Sequence, residues 1–310
     1  MGRLLRVAVL GPGGVGGLLG GVLGARGAEV TVLARPATTA RIAAGGLTVH
    51  SATLGELRVP VRAAARLEAP VDCCLVTVKA TQLADAVAAL PAAALGDALV
   101  VPFLNGVDHL GWLRARYPAG QVAAGTIRVE ATRVAPGVVE HASPFAAVEL
   151  AVPPDGLPGG GPAVRDRVER LAGALAAGGL DVAVRDDEAA TLWRKLGVLA
   201  PIALLTTWAA APLGEARTRH PELAAALVRE VAAAAAGAGV TLDPDLGGRM
   251  LAGAPAGMRS SMQKDAAAGS PIELDAIGGA VLRAAARAGI EVPAVERVVA
   301  DLAARYPAAG

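Results

Sequence analysis

The chain has 310 residues, and its 29 basic and 28 acidic side chains give a formal net charge of +1 at pH 7. This length predicts two domains, and a nearly neutral chain without a basic cluster is not expected to bind nucleic acid, which requires a surface that neutralises phosphates. Cys73 and Cys74 are adjacent in an apolar run and fit neither a disulfide framework nor a metal site, so we expect a reducing, cytoplasmic environment and no bound metal.

The first half of the chain alternates β-branched runs with alanine-rich helical stretches, the pattern of a parallel sheet with crossover helices. The predicted strands, in chain order, are residues 6–10, 29–33, 47–51, 57–61, 71–78 and 98–104. The predicted helices are residues 15–25, 82–90 and, after a Pro/Gly-rich loop, 163–177. Three further alternating runs within residues 122–150 predict an antiparallel extension of the sheet.

Strand signals disappear from Asp187 onward, and helical stretches follow, several of them with a proline at the start. The predicted helices are residues 188–207, 221–238, 244–252, 272–288 and 293–305. The sequence therefore predicts an α/β fold class, with a Rossmann-type dinucleotide-binding domain over residues 1–186 and an all-helical domain over residues 187–310.

Residues 196–214 contain no charged side chain, and these 19 residues are long enough by count to span a membrane. A buried central helix is the alternative explanation. Pro201, Trp208 and Pro212 lie within the segment, and the sequence has no second candidate span. We therefore favour the buried helix and expect no membrane partner.

Lysine and asparagine are rare in this chain. Only three of the 29 basic residues are lysine, namely Lys79, Lys195 and Lys264, and Asn105 is the single asparagine. An arginine cannot replace a lysine that must lose its proton near neutral pH. The remaining lysines and Asn105 are therefore candidate functional residues.

A glycine-rich loop follows the first predicted strand and opens the first predicted helix. Its residues are Gly11, Pro12, Gly13, Gly14, Val15 and Gly16. This Gly-x-Gly-x-x-Gly spacing is typical of dinucleotide-binding folds, in which the loop turns tightly and brings backbone N–H groups to a pyrophosphate at the positive end of the helix. A glycine-rich turn needed only for packing is the alternative.

Arg35 follows the second predicted strand, at the position where an NAD-preferring domain has an acidic residue for the ribose hydroxyls. A guanidinium offers a fork of donors to a 2′-phosphate. We therefore expect NADP(H) as the cofactor. An ordinary surface arginine in an arginine-rich chain is the alternative.

Lys79 and Asn105 follow the next two predicted strands of the parallel sheet. Because ligand sites in open sheets lie at the carboxyl ends of strands, both side chains are placed to reach a cofactor or a substrate. Ordinary turns at strand ends are the alternative for both residues.

Three residues of the second half are candidates for catalysis and binding. Lys195 lies just inside the long apolar helix, where desolvation is expected to lower its pKa toward the range of a general acid. Taken alone, Ser261 fits a helix cap, and Glu273 fits an acid favoured by the dipole in the first turn of a helix.

With these residues in order, the sequence resembles the ketopantoate reductase (2-dehydropantoate 2-reductase) family over nearly its whole length. The matching motifs are Gly11-x-Gly13-x-x-Gly16, Arg35, Val78-Lys79-Ala80, Asn105-Gly106, Leu192-Trp193-Arg194-Lys195-Leu196, Ser260-Ser261-Met262 and Glu273. The resemblance implies a Rossmann domain, a helical domain and NADPH-dependent reduction of a 2-oxo acid to a 2-hydroxy acid at the cleft between them. In the family this reaction converts 2-dehydropantoate to pantoate in pantothenate biosynthesis.

The resemblance also implies roles for individual residues. The residues implied to bind NADP(H) are Gly11 to Gly16, Arg35, Lys79 and Ala131. Lys195 is implied to donate a proton to the substrate carbonyl oxygen, and Asn105 to contact both cofactor and substrate. Ser261 is implied to bind the substrate, and Glu273 to orient Lys195 or the cofactor ribose.

The sequence departs from the family pattern at three positions where the family has asparagine. Leu199, Ala203 and Leu213 occupy these positions. The expected pocket therefore lacks three amides around the substrate tail, and a less polar 2-oxo acid becomes an alternative to 2-dehydropantoate. Thr206 and Arg128 are candidate replacement anchors, although Thr206 could instead bond to its own helix.

Two other functions remain as alternatives at this point. The same lysine and cofactor would support reduction of an imine or of a ketone that is not an acid. A protein of a different class, a catalytically silent NADP(H)-binding sensor, would keep the cofactor loop without turnover. The sequence leaves open whether the chain forms a homodimer.

Overall fold

The structure, a computed structural model, describes residues 4–307. The chain folds into two compact units. The first comprises the chain up to Leu104 together with His109–Thr191, and the second comprises Asn105–Asp108 together with the chain from Leu192 onward. Relative to the predicted division after residue 186, residues 187–191 belong to the first unit and Asn105–Asp108 belong to the second.

Twelve strands and thirteen α-helices form within the described residues. The strands are β1 (Arg6–Leu10), β2 (Glu29–Leu33), β3 (Leu47–Ser51), β4 (Gly55–Val59), β5 (Arg62–Ala64), β6 (Cys73–Val76), β7 (Leu99–Pro102), β8 (Ala124–Arg128), β9 (Ala131–Ala135), β10 (Val138–His141), β11 (Ala147–Ala151) and β12 (Asp181–Arg185). The helices are α1 (Gly14–Ala25), α2 (Pro36–Gly45), α3 (Leu83–Ala86), α4 (Ala92–Leu95), α5 (His109–Arg114), α6 (Pro162–Ala177), α7 (Glu188–Ala209), α8 (Leu213–Arg219), α9 (Pro221–Gly237), α10 (Pro244–Gly253), α11 (Ser261–Ala267), α12 (Ala280–Ala288) and α13 (Pro293–Arg305). Short 3₁₀ turns form at Ala80–Gln82, Val87–Ala89 and Ala119–Gln121, and a π-helix forms at Asp275–Gly279.

A five-stranded parallel sheet is the centre of the first unit. Its strands lie in the order β5-β2-β1-β6-β7, and every neighbouring pair is parallel. The strands β6 and β7 are buried along their whole length, as expected for apolar strands covered on both faces. The predicted Rossmann-type sheet is therefore confirmed, and β1 and β2 have the predicted bounds.

The four strands between β7 and α6 join β3, β4 and β12 in two further sheets. A four-stranded sheet has the order β4-β3-β10-β9, and a three-stranded sheet has the order β12-β11-β8. The predicted antiparallel extension of the parallel sheet was therefore wrong, although the pairs β9–β10 and β8–β11 are antiparallel. The strands separate because β10 pairs in parallel with β3 and β11 with β12, partners that lie far away in the sequence.

Helix α1 packs against both the parallel sheet and the four-stranded sheet. A Cβ added at Gly17 or Gly21 would lie 2.5 or 2.6 Å from a valine side chain of β10 or β3, and one at Gly24 would overlap a valine of β4. These glycines follow each other at intervals of four and three residues and so share one face of the helix. Because these glycines have no side chain, the four-stranded sheet approaches this face of α1 more closely than any other residue would permit.

The second unit contains helices and no strand over the described residues after Leu192. The helix α9 packs against α10, α12 and α13. The predicted helix at residues 272–288 divides into the π-helix and α12. The prediction of an all-helical second part is confirmed.

Helix α7 is long and apolar enough to cross a membrane by length and composition. Within the described residues it is the one helix that meets this criterion, and 61% of its most apolar window is buried inside the protein. Core helices of globular proteins show the same pattern of burial.

Candidate active site

The glycine-rich loop joins β1 to α1 at the carboxyl edge of the parallel sheet. Gly11 has a φ of +89°, which favours glycine, and its N–H donates to Leu33 O at 3.0 Å. A Cβ on Gly11 would lie 2.5 Å from Val78 Cγ1, and one on Gly16 would overlap Thr77 Oγ1. Both positions therefore exclude a larger residue.

Gly13 is the open position of this loop, because a Cβ added there would meet no heavy atom of the described residues within 4 Å. Gly13 is also the N-cap of α1, and no side chain of the described residues caps this helix. The N–H groups of the first turn therefore have no side-chain cap among the described residues, and the positive end of the helix dipole lies beside this open position. An uncapped helix N-terminus beside an open position is suited to binding the pyrophosphate of a dinucleotide.

Ala131 begins β9 and lies against the loop. A Cβ on Gly14 would overlap the carbonyl oxygen of Ala131. Pro12 is buried, and Val15 is half-buried beside it. The structure therefore places Ala131, which the resemblance assigns to the cofactor site, next to the glycine loop.

Arg35 and Lys79 follow the two strands that flank β1. Because β2 and β6 both pair with β1 in parallel, the carboxyl ends of all three strands lie at one edge of the sheet. Both side chains are exposed. The glycine loop and two cationic residues thus lie along one edge of the first unit.

Lys195, Glu273 and Asn105 come together in the second unit. Lys195 lies on α7, Glu273 lies just before the π-helix, and Asn105 lies in the segment Asn105–Asp108. Asn105 Nδ2 donates to Glu273 Oε2 at 2.9 Å. Glu273 is only 7% exposed, and its carboxylate acts electrostatically on Lys195.

The surroundings of Lys195 lower the pKa of its ammonium group. Burial disfavours the charged ammonium and lowers the pKa of Lys195 from 10.5 to about 8, while the Glu273 carboxylate opposes this change. A lysine with this pKa is mostly protonated at neutral pH and releases its proton far more readily than an exposed lysine. The arrangement therefore suits a proton donor.

Ser260, one residue before the predicted substrate ligand, caps α11. Its Oγ accepts a hydrogen bond from Gln263 N at 3.1 Å. Ser261 is the first residue of the helix and is exposed. Because the neighbouring serine supplies the cap, the Ser261 hydroxyl is left to the helix surface.

Thr206 is fully buried, and its hydroxyl is engaged within the protein. It donates to Ile202 O at 2.7 Å, and a second hydrogen bond of 2.8 Å joins it to Ser260 Oγ. The structure therefore argues against Thr206 as a substrate anchor. Arg128, at the exposed end of β8, remains a predicted anchor.

Apolar side chains occupy the positions of the missing amides. Leu199 and Ala203 follow Lys195 by one and two turns on the same side of α7. Leu199 is half-buried and Ala203 is fully buried. Leu213, at the start of α8, is fully buried as well. These side chains offer no hydrogen bond to a ligand.

Two residues near the predicted site were missed in the sequence. Thr77 Oγ1 donates to Gly11 O at 2.7 Å and fixes the glycine loop from the end of β6. Arg283 on α12 pairs with both Asp108 and Asp275. Thr77 could have been predicted as a site residue, because it follows a strand of the parallel sheet. Arg283 could not, because nothing in the sequence distinguishes it from the many other arginines of the chain.

Two family models together match most of the chain. The family model described as ketopantoate reductase PanE/ApbA matches residues 7–153, and the model of its C-terminal part matches residues 187–305. The chain is 31% identical to the 2-dehydropantoate 2-reductase of Halobacterium salinarum, over 96% of this chain and 97% of the relative. It is 32% identical to the enzyme of that name from Caulobacter vibrioides, over 96% and 97% of the two chains.

A solved structure has the same fold. The PanE/ApbA family ketopantoate reductase from Ralstonia eutropha JMP134 superposes with a TM-score of 0.84 at 28% identity, covering 97% of this chain and 98% of that one.

Proposed function

The chain belongs to the ketopantoate reductase family and is an oxidoreductase, and on that premise we propose that it uses NADPH to reduce a 2-oxo acid to the corresponding 2-hydroxy acid. The main support is the group of Lys195, Glu273 and Asn105, with a Lys195 pKa of about 8. The family and the glycine loop support a nicotinamide dinucleotide as the cofactor.

A reduced nicotinamide, when bound, supplies two electrons and one of the two hydrogens that a carbonyl gains on reduction. The reduction places negative charge on the former carbonyl oxygen, and the Lys195 ammonium neutralises this charge by donating a proton from Nζ. The Glu273 carboxylate favours the protonated lysine before the transfer, and Asn105 Nδ2 holds one carboxylate oxygen. Lys195 then regains a proton from water.

Turnover of 2-oxo acids by the purified protein is the direct test. We expect NADPH oxidation with a panel of 2-oxo acids, and Lys195→Ala should lower kcat by about 10² or more if the lysine is the acid. Arg229→Ala, a change of an exposed cation on α9, is the control and should keep full activity.

Equal rates for wild type and Lys195→Ala would remove the lysine from the proposed role. Tight NADPH binding without turnover of any 2-oxo acid, imine or ketone would instead identify a cofactor sensor.

The preference for NADPH over NADH is attributed to Arg35, an exposed cation at the end of β2. Arg35→Ala should lower the ratio of kcat/KM for the two cofactors by about tenfold, because the 2′-phosphate loses a charged donor. Arg41→Ala, an exposed arginine on the helix that follows, should leave the ratio unchanged. An unchanged ratio in Arg35→Ala would reject the assignment.

For the substrate, the apolar positions favour a 2-oxo acid with a less polar tail than 2-dehydropantoate. Leu199→Asn, alone and combined with Ala203→Asn, should shift the ratio of kcat/KM toward 2-dehydropantoate and away from an aliphatic 2-oxo acid of equal size. The single variant matters because Leu199 is half-buried and accepts a polar group more readily than the fully buried Ala203. A folded variant with the wild-type preference would contradict the assignment.

A further inference from the structure

The segment Asn105–Asp108 is flanked on both sides by the first unit, yet it packs with the second. Within the second unit, the Asn105 side-chain amide donates a hydrogen bond to the Glu273 carboxylate. Gly106 has a φ of +85°, and a Cβ at this position would overlap the carbonyl oxygen of Ala276 in the π-helix. The backbone of the segment thus lies directly against the π-helix.

Arg283 on α12 joins this segment to the π-helix a second time. Its Nε and Nη2 donate to Asp108 Oδ2 at 3.0 and 2.9 Å, and its Nη1 donates to Asp275 Oδ1 at 2.6 Å. Asp108 lies three residues after Asn105, and Asp275 lies two residues after Glu273. One guanidinium therefore ties together the two short stretches that present the amide and the carboxylate.

The packing leaves room for this bridge. A Cβ on Gly279 would lie 2.5 Å from Asp275 Oδ1 and 3.0 Å from Arg283 Nη1. Because glycine has no side chain, the ion pair can lie directly against the helix at this position. A π-helix next to the site agrees with the frequent occurrence of such segments at functional sites.

The bridge is poorly suited to a role in global stability. The side chains of Arg283, Asp108 and Asp275 are 42%, 39% and 84% exposed, and exposed ion pairs contribute little to folding. A planar fork that reaches two carboxylates does, however, define their relative position more tightly than a flexible ammonium would. The geometry of the bridge is therefore its main effect.

We infer that Arg283 is a positioning residue, which holds the Asn105 amide on the Glu273 carboxylate by bridging the two stretches that bear them. Through that carboxylate it acts on Lys195. The catalytic consequence rests on the proposed function, whereas the effect on the Asn105–Glu273 contact does not.

The single asparagine makes the contact observable. Selective ¹⁵N labelling of the asparagine side-chain amide gives one NH₂ pair in an NMR spectrum, that of Asn105. Arg283→Met should shift this pair and speed its exchange with water. Arg283→Lys should restore part of the shift, because it keeps the charge but lacks the fork. Arg287→Met, an exposed arginine one turn further along α12, is the matched control and should leave the pair unchanged.

Kinetics supply a second readout. Arg283→Met should lower kcat by about tenfold through loss of positioning, with a thermal midpoint close to that of wild type. Because the Glu273 carboxylate raises the pKa of Lys195, its displacement should move the decline of the rate to lower pH. Arg283→Lys should recover part of both effects.

An NH₂ pair and a pH profile that match wild type in Arg283→Met would overturn the inference. A large loss of thermal stability with an unchanged pair would also overturn it, because the bridge would then be merely structural. Should Arg283→Met fail to fold, Asp108→Asn weakens one arm of the bridge and is read in the same way. If wild type reduces no 2-oxo acid, the proposed function fails, and the NH₂ pair still decides whether Arg283 positions Asn105.

Discussion

Lys195 is placed where its charged form is less stable than it would be in water. Burial lowers its pKa from 10.5 to about 8, and each unit of such a change corresponds to about 1.4 kcal/mol. The fold tolerates this local instability at the position where the proposed reaction needs a proton. Conflicts of this kind between stability and activity are common at catalytic sites.

The rate of reduction should depend on pH through this lysine. Because only the protonated lysine can donate, we expect kcat/KM to be constant below a pH of about 8 and to fall about tenfold per unit above it. Initial rates measured from about pH 6 to pH 10 test this profile. The residual activity of Lys195→Ala should lack the decline, and a wild-type profile that stays flat to the upper limit would contradict the prediction.

The same lysine should make the stability of the protein depend on pH. Since its folded pKa of about 8 lies below the value of 10.5 expected for an unperturbed lysine, the penalty is fully present below pH 8 and decreases as the folded protein loses the proton. Lys195→Met should therefore be more stable than wild type at neutral pH, by up to ~3 kcal/mol. Urea unfolding at about pH 7 and pH 10 measures this gain, which should shrink at the higher pH.

Lys264→Met changes an exposed lysine and is the control. A Lys195→Met gain that is absent, or equal at both pH values, would show that burial does not penalise the ammonium.

At the level of single elements, α1 combines poor helix propensity with close packing. Six of its twelve residues are glycine, and each interior glycine costs up to about 1 kcal/mol relative to alanine. The helix persists because the sheets on either side approach it closely and bury it along most of its length. Tertiary packing rather than intrinsic preference stabilises this element.

Gly21→Ala should destabilise the protein by ~1–3 kcal/mol, although alanine is the better helix former, because its Cβ would lie 2.6 Å from Val49 Cγ2. Adding Val49→Ala should remove the clash, so the double variant should lose less stability than the two single variants lose together.

Gly173→Ala on α6 is the control. Its Cβ meets nothing within 4 Å among the described residues, and the variant should gain ~0.5–1 kcal/mol of stability. Denaturant titration of the wild type and of the four variants, Val49→Ala among them, measures these differences. A Gly21→Ala protein as stable as wild type would show that β3 can move away from the helix.

The sequence predicted local elements better than it predicted their partners. The β-branched runs of β1 and β2 are short and end at turns, so their bounds could be predicted. The pairing of β10 with β3 depends on contacts between distant residues, which alternation alone does not reveal.

In the site, too, the sequence predicted individual residues but not the contacts between them. Asn105 and Glu273 could be identified as candidates, but they lie 168 residues apart. Their contact depends on the left-handed backbone at Gly106 and on the π-helix, and no periodicity in the sequence indicates either feature.

For the whole molecule, cofactor binding should add to stability. A ligand at a hundred times its Kd raises the free energy of unfolding by about 2.7 kcal/mol. Gly13→Ala should change the stability of the free protein by only about 0.5 kcal/mol, since its Cβ meets no described atom within 4 Å. It should nevertheless diminish the rise in thermal midpoint caused by NADPH, because the methyl group would occupy the space beside the loop.

Gly173→Ala should retain the full NADPH-dependent rise, as its site lies on α6. An undiminished rise in Gly13→Ala would place the pyrophosphate elsewhere.

The chain passes from one unit to the other three times, after Leu104, after Asp108 and after Thr191. Each unit is therefore built from two separate stretches of the chain and not from one continuous stretch. Replacing everything from residue 192 onward therefore separates Glu273 from the Asn105 that belongs to the same unit. A chimera that keeps their hydrogen bond has to exchange residues 105–108 together with the helices from residue 192 onward.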